Sequence, residues 1–463
     1  MDWLSLLSVW DYLSFFLVLF ATFAAILWAR RREAHQNRDP DSPLELLLMG
    51  RRLTLPLFVA SLVATWYGGI FGVTALSFER GIFNFVTQGV FWYATYIFMA
   101  FALVKRVRRI EATGLPDLAG QLFGPRARAL SGWLAYLNLV PIAYVMALGH
   151  FLAPFLGLGW WEASLIGLML MYGYALTGGL RAVVFSDLVQ CFVMVLAVWL
   201  IVVVCWTNHG GWEFLAAKLP ASHWDVTGGN DWSALVVWGM IALGTLVDPN
   251  FHSRVQAAND EATARRGILI ATLIWFCFDV ATTLGGLYAR ALYADAAPEE
   301  AYLRLGLLEL PPGLKGFFLA GVLATILSTL DSYLFTAGAT LSHDLLKRTT
   351  FWRLKLSMLF TGLLAWLVAP LFKGSIIGVW KLIGGLISAS LLPALLYGLW
   401  RPGKLSEGGF LLSVGAGIFG TVALFVANHF AGLGVEEFFG GLVGSILGLT
   451  LSIARSASVV SRR

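Results

Sequence analysis

Hydroxyl side chains recur along one apolar stretch of the chain, between Leu314 and Asp344, at intervals typical of one helical face. An aspartate, Asp331, lies in the middle of this stretch. A carboxylate at membrane depth is costly and usually marks an ion or substrate path, and oxygen-rich faces suit hard cations such as Na⁺. Helix packing alone accounts for one or two such hydroxyls, but poorly for a row of them. The row consists of Thr325, Ser328, Thr329, Ser332 and Thr336.

Two other apolar stretches carry helix-breaking residues at their centre or end. Gly68 and Gly69 lie within SLVATWYGGIFGVTALS, and Gly244 and Pro249 lie within WGMIALGTLVDPN. Interrupted membrane helices release backbone carbonyls and helix ends, which bind ions and substrates near the midplane of many transporters. The two stretches are five predicted spans apart, which indicates two repeats of five helices.

The composition places all these residues in a membrane. Of the 463 residues, 58% are hydrophobic and only 13% are charged, with a mean hydropathy of +0.76. Apolar runs of about 20 residues predict an all-α integral membrane protein with about thirteen transmembrane helices. The predicted spans are 10–29, 53–77, 83–104, 130–153, 162–180, 183–206, 233–250, 267–289, 314–345, 355–372, 375–399, 408–430 and 436–454.

Basic residues alternate between the predicted loops. Most of the 32 Lys and Arg fall on one side if the segment after the first span, with Arg30, Arg31 and Arg32, is cytoplasmic. This pattern predicts an N-terminus outside and a cytoplasmic C-terminus in the cell membrane. The net charge of +5 is then a topology signal, and no nucleic-acid partner is expected. The three cysteines lie within predicted spans, which favours neither a disulfide nor a transition-metal site.

Four segments, in chain order, resemble the sodium:solute symporter family. They are MGRRLTLPLFVASLVATWYGGIFGV, YALTGGLRAVVFSDLVQ, FHSRVQAANDEATARR and LAGVLATILSTLDSYLFTAGATLSHDLLK. The resemblance implies a LeuT-like five-plus-five inverted repeat with one helix before and two after. A single transporter domain, 1–463, would comprise a leading helix (10–29), a first repeat (53–206), a second repeat (233–399) and two trailing helices (408–454).

The resemblance also implies a Na⁺ site between the first and eighth core helices. Ala64, Tyr67 and Thr325 would offer backbone carbonyls, and Ser328 and Thr329 their hydroxyls. Neutral oxygens of this kind suit Na⁺. The alternative is that the two hydroxyls only bond back to their own helix.

A second cation site occurs in some family members. Its matching positions here are Asp187, Ser328, Asp331 and Ser332. Asp187 could instead be an exposed helix cap, and Asp331 a protonated structural group or the site of proton coupling.

The substrate positions resemble the choline-transporter branch of the family. Trp66, Tyr93 and Trp380 match aromatic residues that surround a quaternary ammonium, and such rings attract cations. Val140 and Asp248 depart from that pattern, because an aromatic residue is expected at each. Asp248 would either complement a substrate amine or cap the helix that begins at the following proline.

Two further polar residues have alternative interpretations. Gln88 matches a substrate-binding position of the sugar branch, or makes an interhelical contact. Arg254 is interpreted as part of a solvated cytoplasmic face.

The sequence therefore predicts a sodium-coupled symporter that imports a small organic solute, cationic or zwitterionic. It predicts no enzyme activity and no cofactor, only Na⁺, a small-molecule substrate and the lipid bilayer as partners. The alternatives are a symporter for a sugar or carboxylate, a proton-coupled carrier using Asp331, and a transporter-like sensor. The short segment after the last span disfavours a sensor. An intramembrane enzyme is disfavoured because His150 and His343 have no evident catalytic partners.

Overall fold

The computed structural model describes residues 3–34, 42–176, 179–432 and 434–460. Over these ranges the chain is helical, and its β-type pairing is limited to an isolated bridge between Leu53 and Ala258. Residues 177 and 178 of the family motif YALTGGLRAVVFSDLVQ, and both ends of the predicted 1–463 domain, lie outside the described residues.

Fifteen helices, labelled α1 to α15, carry the argument below. They are α1 (Val9–Ala34), α2 (Leu55–Ala64), α3 (Ile70–Arg80), α4 (Phe83–Arg108), α5 (Pro125–Leu156), α6 (Trp160–Ala175), α7 (Leu180–His209), α8 (Trp232–Val247), α9 (Pro249–Ala257), α10 (Glu261–Leu292), α11 (Leu314–Leu345), α12 (Phe351–Phe372), α13 (Ile376–Trp400), α14 (Glu407–Ala431) and α15 (Glu437–Val460). Shorter helices in the connections are Pro43–Leu48, Leu115–Phe123, Trp212–Lys218 and Pro298–Glu309.

The predicted spans all coincide with helices. In the described ranges, ten helices are long and apolar enough to cross a membrane, and α8 with α9 forms one further bent pair. The pair α2 and α3, and the 16-residue helix α6, are too short for that test. Together these segments match the thirteen predicted spans, although the number of actual crossings stays a prediction.

Helix α11 lies at the centre of the molecule. Of the residues in its most apolar part, 89% are buried, against 22% in α1. It packs against α1, α5, α7 and α12. The row of hydroxyls and Asp331 therefore faces protein on all sides, which a membrane helix needs if it is to carry a carboxylate.

Each predicted break interrupts a helix in the structure, for a local reason. Helix α2 ends at Ala64, and α3 begins after Gly69. Asp248 has an extended backbone because a residue before proline disfavours the helical conformation, and Pro249 then begins α9. Helices α8 and α9 are bent by 41° at this point.

Candidate ion and substrate sites

The first interruption lies directly against α11. A Cβ atom added to Gly68 would come within 2.5 Å of Thr329 Cβ, so the backbone approaches α11 more closely than a larger residue would allow. Ser328 Oγ donates to the Ala64 carbonyl at 2.8 Å, and Thr329 Oγ1 donates to the same carbonyl at 3.1 Å. The last carbonyl of α2 is thus held against the hydroxyl face of α11.

The same two hydroxyls also reach Thr325. Ser328 Oγ and Thr329 Oγ1 lie 3.2 Å and 3.0 Å from its carbonyl oxygen. The two hydroxyls therefore do not bond only to their own helix, because they also bond across to α2. Tyr67, the fifth predicted ligand, is buried on the same interruption, and its phenol donates to Asp279.

These oxygens fit a Na⁺ ion chemically. The carbonyls of Ala64 and Thr325 and the hydroxyls of Ser328 and Thr329 are neutral and fully buried, and each hydroxyl lies within hydrogen-bond distance of both carbonyls. The hydroxyls donate to the carbonyls. A hydroxyl oxygen keeps lone pairs when it donates, so rotation of the two hydroxyls would present the oxygens to a hard cation.

The predicted second cation site is also buried. The guanidinium of Arg254, which the sequence did not place there, reaches one of its residues, Ser332. Asp187, Asp331 and Ser332 are 0–2% exposed. Asp187 lies inside α7 and accepts from Ser61 Oγ at 2.8 Å, so the interpretation as an exposed helix cap is wrong. The helix begins at Leu180, well before Asp187, and leaves that side chain facing α2.

Arg254 does not belong to a solvated face. Its side chain is 0% exposed, and its Nη2 donates to Ser332 Oγ at 2.8 Å. The prediction was wrong because the neighbouring charges along the chain belong to the following connection and the start of α10, whereas Arg254 points from α9 towards α11.

A central cavity of about 160 Å³ lies beside both interruptions. All five predicted substrate residues line it: Trp66, Gln88, Tyr93, Asp248 and Trp380. Val140, at the position where the family pattern lacks an expected aromatic residue, also lines the cavity, at a break within α5.

Aromatic side chains form much of the cavity wall. Trp66 contacts Tyr96 and Phe251 edge-on, with ring centroids 6.1 Å and 5.8 Å away. The indole of Trp380 occupies the space where a side chain at Gly69 would lie. Further aromatic residues line the cavity that were not among the predicted substrate contacts. They are Trp92, Tyr96, Tyr144, Trp238, Trp275 and Tyr333.

Asp279 is the main residue that the sequence prediction missed. It lies in the middle of α10, is 3% exposed and lines the cavity. Its two carboxylate oxygens each accept a hydrogen bond from a phenol, one from Tyr67 and one from Tyr93. The signal that singled out Asp331, a carboxylate inside an apolar span, was present here too.

Asp248 has the capping role that was offered as one of its two alternatives. Its Oδ1 accepts from the backbone N–H of Phe251 at 2.9 Å and so caps α9. It also lines the cavity. A carboxylate has enough acceptor capacity for one capping bond and a further cationic partner.

The fold and the sites define a helical membrane transporter built around two broken helices. Over 97% of the chain, the structure superimposes with a TM-score of 0.76 on a substrate-bound, outward-open Na⁺-coupled sialic acid symporter, at 17% identity and 98% coverage of that chain. Mhp1, a nucleobase-cation-symport-1 family transporter, gives a TM-score of 0.56 at 15% identity, with 90% of this chain and 94% of Mhp1 covered. The predicted LeuT-like fold is confirmed.

The sequence matches the family model described as "Sodium:solute symporter family" over residues 47–417, and the chain belongs to this family. It is 24% identical to the "High-affinity choline transporter 1" of Drosophila melanogaster, over 80% of this chain and 63% of the relative. It is 25% identical to the "Sodium/pantothenate symporter" of Haemophilus influenzae, over 46% of this chain and 47% of the relative. The chain thus spans less than two thirds of either relative.

A third relative, the "Sodium-coupled monocarboxylate transporter 1" of Xenopus laevis, is 23% identical over 93% of this chain and 73% of its own length. The predictions of the family and of a multi-pass membrane transporter are confirmed. The family couples small-molecule transport to Na⁺. The relatives named here differ in their solutes, so the solute of this chain and the individual site residues stay predictions.

Proposed function

We propose that this protein imports a small cationic or zwitterionic organic solute, driven by inward movement of Na⁺ across the cell membrane. The observation that carries the proposal is the pair of buried carboxylates, Asp248 and Asp279, on the wall of an aromatic cavity. We further propose two five-helix repeats (53–206 and 233–399), an outside N-terminus and a cytoplasmic C-terminus.

The electrostatics of the cavity favour a positively charged solute. Burying a carboxylate is costly unless a cation or hydrogen-bond donors compensate it. Phenols from Tyr67 and Tyr93 donate to Asp279, whereas Asp248 accepts from backbone N–H groups at the start of the helix that it caps, Phe251 among them. A quaternary ammonium or amine would supply the missing charge, and each ring facing it would add about 0.5–2 kcal/mol.

The same electrostatics disfavour an anionic solute. A carboxylate solute in this cavity would face Asp248 and Asp279 at low dielectric, where repulsion between like charges is strong. A sugar would gain little from either charge, although Gln88 offers it a hydrogen-bonding group. The name of the Drosophila relative supports choline as the first solute to test.

Na⁺ and solute would be coupled through one short piece of chain. Ala64 supplies the carbonyl that the hydroxyls of Ser328 and Thr329 hold, and Trp66, two residues later, lines the cavity. An ion that fixes the end of α2 would therefore also fix an aromatic wall of the solute site. Binding of the ion would then favour the conformation that binds the solute, as coupling requires. Alternating access would carry the ion and the solute inward together.

Uptake of labelled choline into proteoliposomes tests the proposal. We expect uptake under an inward Na⁺ gradient but not under a K⁺ gradient, with competition by betaine and other quaternary amines and little by sugars or carboxylates. Uptake driven by a proton gradient alone would instead favour coupling through Asp331. Sodium-driven uptake of a sugar or carboxylate, with none of choline, would contradict the solute class and keep the symporter.

A double variant tests the ion site itself. Ser328→Ala with Thr329→Ala removes both hydroxyls, and we expect Na⁺ dependence to disappear while the folded protein remains. Ser342→Ala is the matched control, because Ser342 is equally buried on α11 but its hydroxyl bonds only within that helix among the described residues. Unchanged Na⁺ activation in the double variant would remove these residues from the ion site.

A further inference from the structure

Arg254 is a buried cation outside the central cavity and the proposed Na⁺ site. It lies on α9, just beyond the Asp248–Pro249 interruption, and is among the largest side chains that the fold encloses completely. Removing a guanidinium from water is costly unless its donors are satisfied by well-placed acceptors. The structure supplies such acceptors from three helices.

All hydrogen bonds found for the guanidinium in the described part of the chain go to neutral side-chain oxygens. Three of these oxygens belong to other helices of the bundle core, two on α11 and one at the end of α2, and Nη2 binds two of the three. Nη1 donates to Asn250 Oδ1 (3.0 Å), Ser253 Oγ (3.2 Å) and Thr336 Oγ1 (3.3 Å), and Nη2 to Ser332 Oγ (2.8 Å) and Thr65 Oγ1 (3.3 Å).

This position coincides with the predicted second cation site. Ser332, a predicted ligand, is the nearest of the five acceptors. Thr65 Oγ1 donates to the Ser61 carbonyl at 2.6 Å and lies 3.1 Å from Ser332 Oγ, while Ser61 Oγ donates to Asp187. A continuous set of hydrogen bonds thus joins the carboxylate end of the site to the guanidinium end.

We propose that the guanidinium of Arg254 is the resident cation of this second site, so that the chain couples transport to a single Na⁺. The inference rests on the proposed function, because it assigns the number of ions that a Na⁺-coupled symporter moves. A guanidinium supplies the positive charge that buried carboxylates such as Asp187 require. It cannot dissociate from α9, so it takes nothing from the Na⁺ gradient, and its charge repels a second free cation in the same low-dielectric site.

The experiment counts Na⁺ ions bound to purified protein by equilibrium dialysis with radioactive Na⁺. We expect a single Na⁺ in the wild type and a second one in Arg254→Met, which keeps an apolar stem but lacks the charge. Arg254→Lys keeps the charge and should bind a single Na⁺. Adding Asp187→Asn to Arg254→Met removes the carboxylate of Asp187 and should return the number of bound Na⁺ ions to the wild-type value.

Arg108→Met provides a matched control. Arg108 also bonds to α9, but it is partly exposed and reaches only the backbone carbonyls of Val255, Gln256 and Asn259 among the described residues. Its replacement should leave the count unchanged. A gain of Na⁺ in Arg108→Met equal to that in Arg254→Met would show loosening of α9 and would contradict the proposal.

The wild-type count keeps the proposal falsifiable even if Arg254→Met fails to fold. Two Na⁺ in the wild type would overturn it, as would an unchanged count in a folded Arg254→Met variant. A wild type that binds no Na⁺ would instead contradict the proposed Na⁺ coupling. In that case a Na⁺ gained by Arg254→Met, and lost again with Asp187→Asn, would still support the guanidinium as the resident cation.

Discussion

The interruption between α2 and α3 and the interruption between α8 and α9 lie beside the same cavity but are built from different chemistry. The first is made by Gly68 and Gly69, which let the backbone approach Thr329 and Trp380. The second is made by Asp248 and Pro249, where a side chain caps the new helix. One interruption therefore presents backbone oxygens, and the other presents a side-chain carboxylate.

This difference suits the ligands that each interruption would serve. A coupling ion must bind and leave in every cycle, and neutral carbonyl and hydroxyl oxygens allow both. Charges that stay with the protein can instead select the solute, as Asp248 would, or replace an ion, as Arg254 would. The comparison predicts that substitutions at the first interruption change Na⁺ binding, whereas those at the second change solute affinity or the ion count.

The largest effect is expected from Gly68→Ala. The added Cβ would lie 2.5 Å from Thr329 Cβ, so α2 and α11 would have to separate. Overpacking of this kind costs about 1–3 kcal/mol, and a shift of Ala64 away from Ser328 would lower Na⁺ affinity by roughly tenfold or more. Titration of Na⁺-dependent thermal stabilisation measures this change.

Gly415→Ala is the control for that prediction. Among the described residues, no heavy atom beyond the neighbouring backbone of its own helix lies within 4 Å of the added Cβ at Gly415, which is in α14, away from both interruptions. Its Na⁺ affinity should match the wild type. Normal Na⁺ affinity in Gly68→Ala would mean that the close approach of α2 to α11 has no role in ion binding.

A smaller effect is expected from Tyr67→Phe, which tests how the first interruption is anchored to α10. The substitution removes one of the two phenols that donate to the buried Asp279. Loss of a hydrogen bond to a buried charged group costs about 1.5–3 kcal/mol, so the free energy of unfolding should fall by that order.

Tyr302→Phe is the matched control, because the buried Tyr302 hydroxyl has no hydrogen-bond partner among the described residues. Its removal should leave the free energy of unfolding nearly unchanged, or raise it. Equal losses in the two variants would show that the bond to Asp279 contributes nothing specific to stability.

The features predicted correctly from the sequence are those with local signals. The glycine pair, the Asp–Pro break and the hydroxyl spacing of α11 each lie within one short stretch of the chain, and the resemblance to the family identified Ala64 as the partner of the hydroxyls. Asp279 has the same local signal as Asp331, a carboxylate inside an apolar span, but it lay outside the quoted motifs and was missed.

Arg254 could not be placed from the sequence, for a different reason. Its position close to Glu261, Arg265 and Arg266 in the chain indicates a charged surface. Its acceptors come from α2, α9 and α11, which only the tertiary structure brings together. Asp187 was left ambiguous because a shift of a few residues in the start of α7 decides between a cap and a buried position.

The smallest effects are expected at Asp248, where two variants separate its roles in capping and in solute binding. Asn caps helices about as well as Asp, so Asp248→Asn should change the free energy of unfolding by less than about 0.5 kcal/mol, whereas Asp248→Ala should cost about 0.5–2 kcal/mol. Both variants remove the charge, so both should weaken uptake of a cationic solute equally, while Na⁺ affinity stays unchanged. Normal solute affinity in Asp248→Asn would restrict Asp248 to capping α9 and leave Asp279 as the carboxylate that faces the solute.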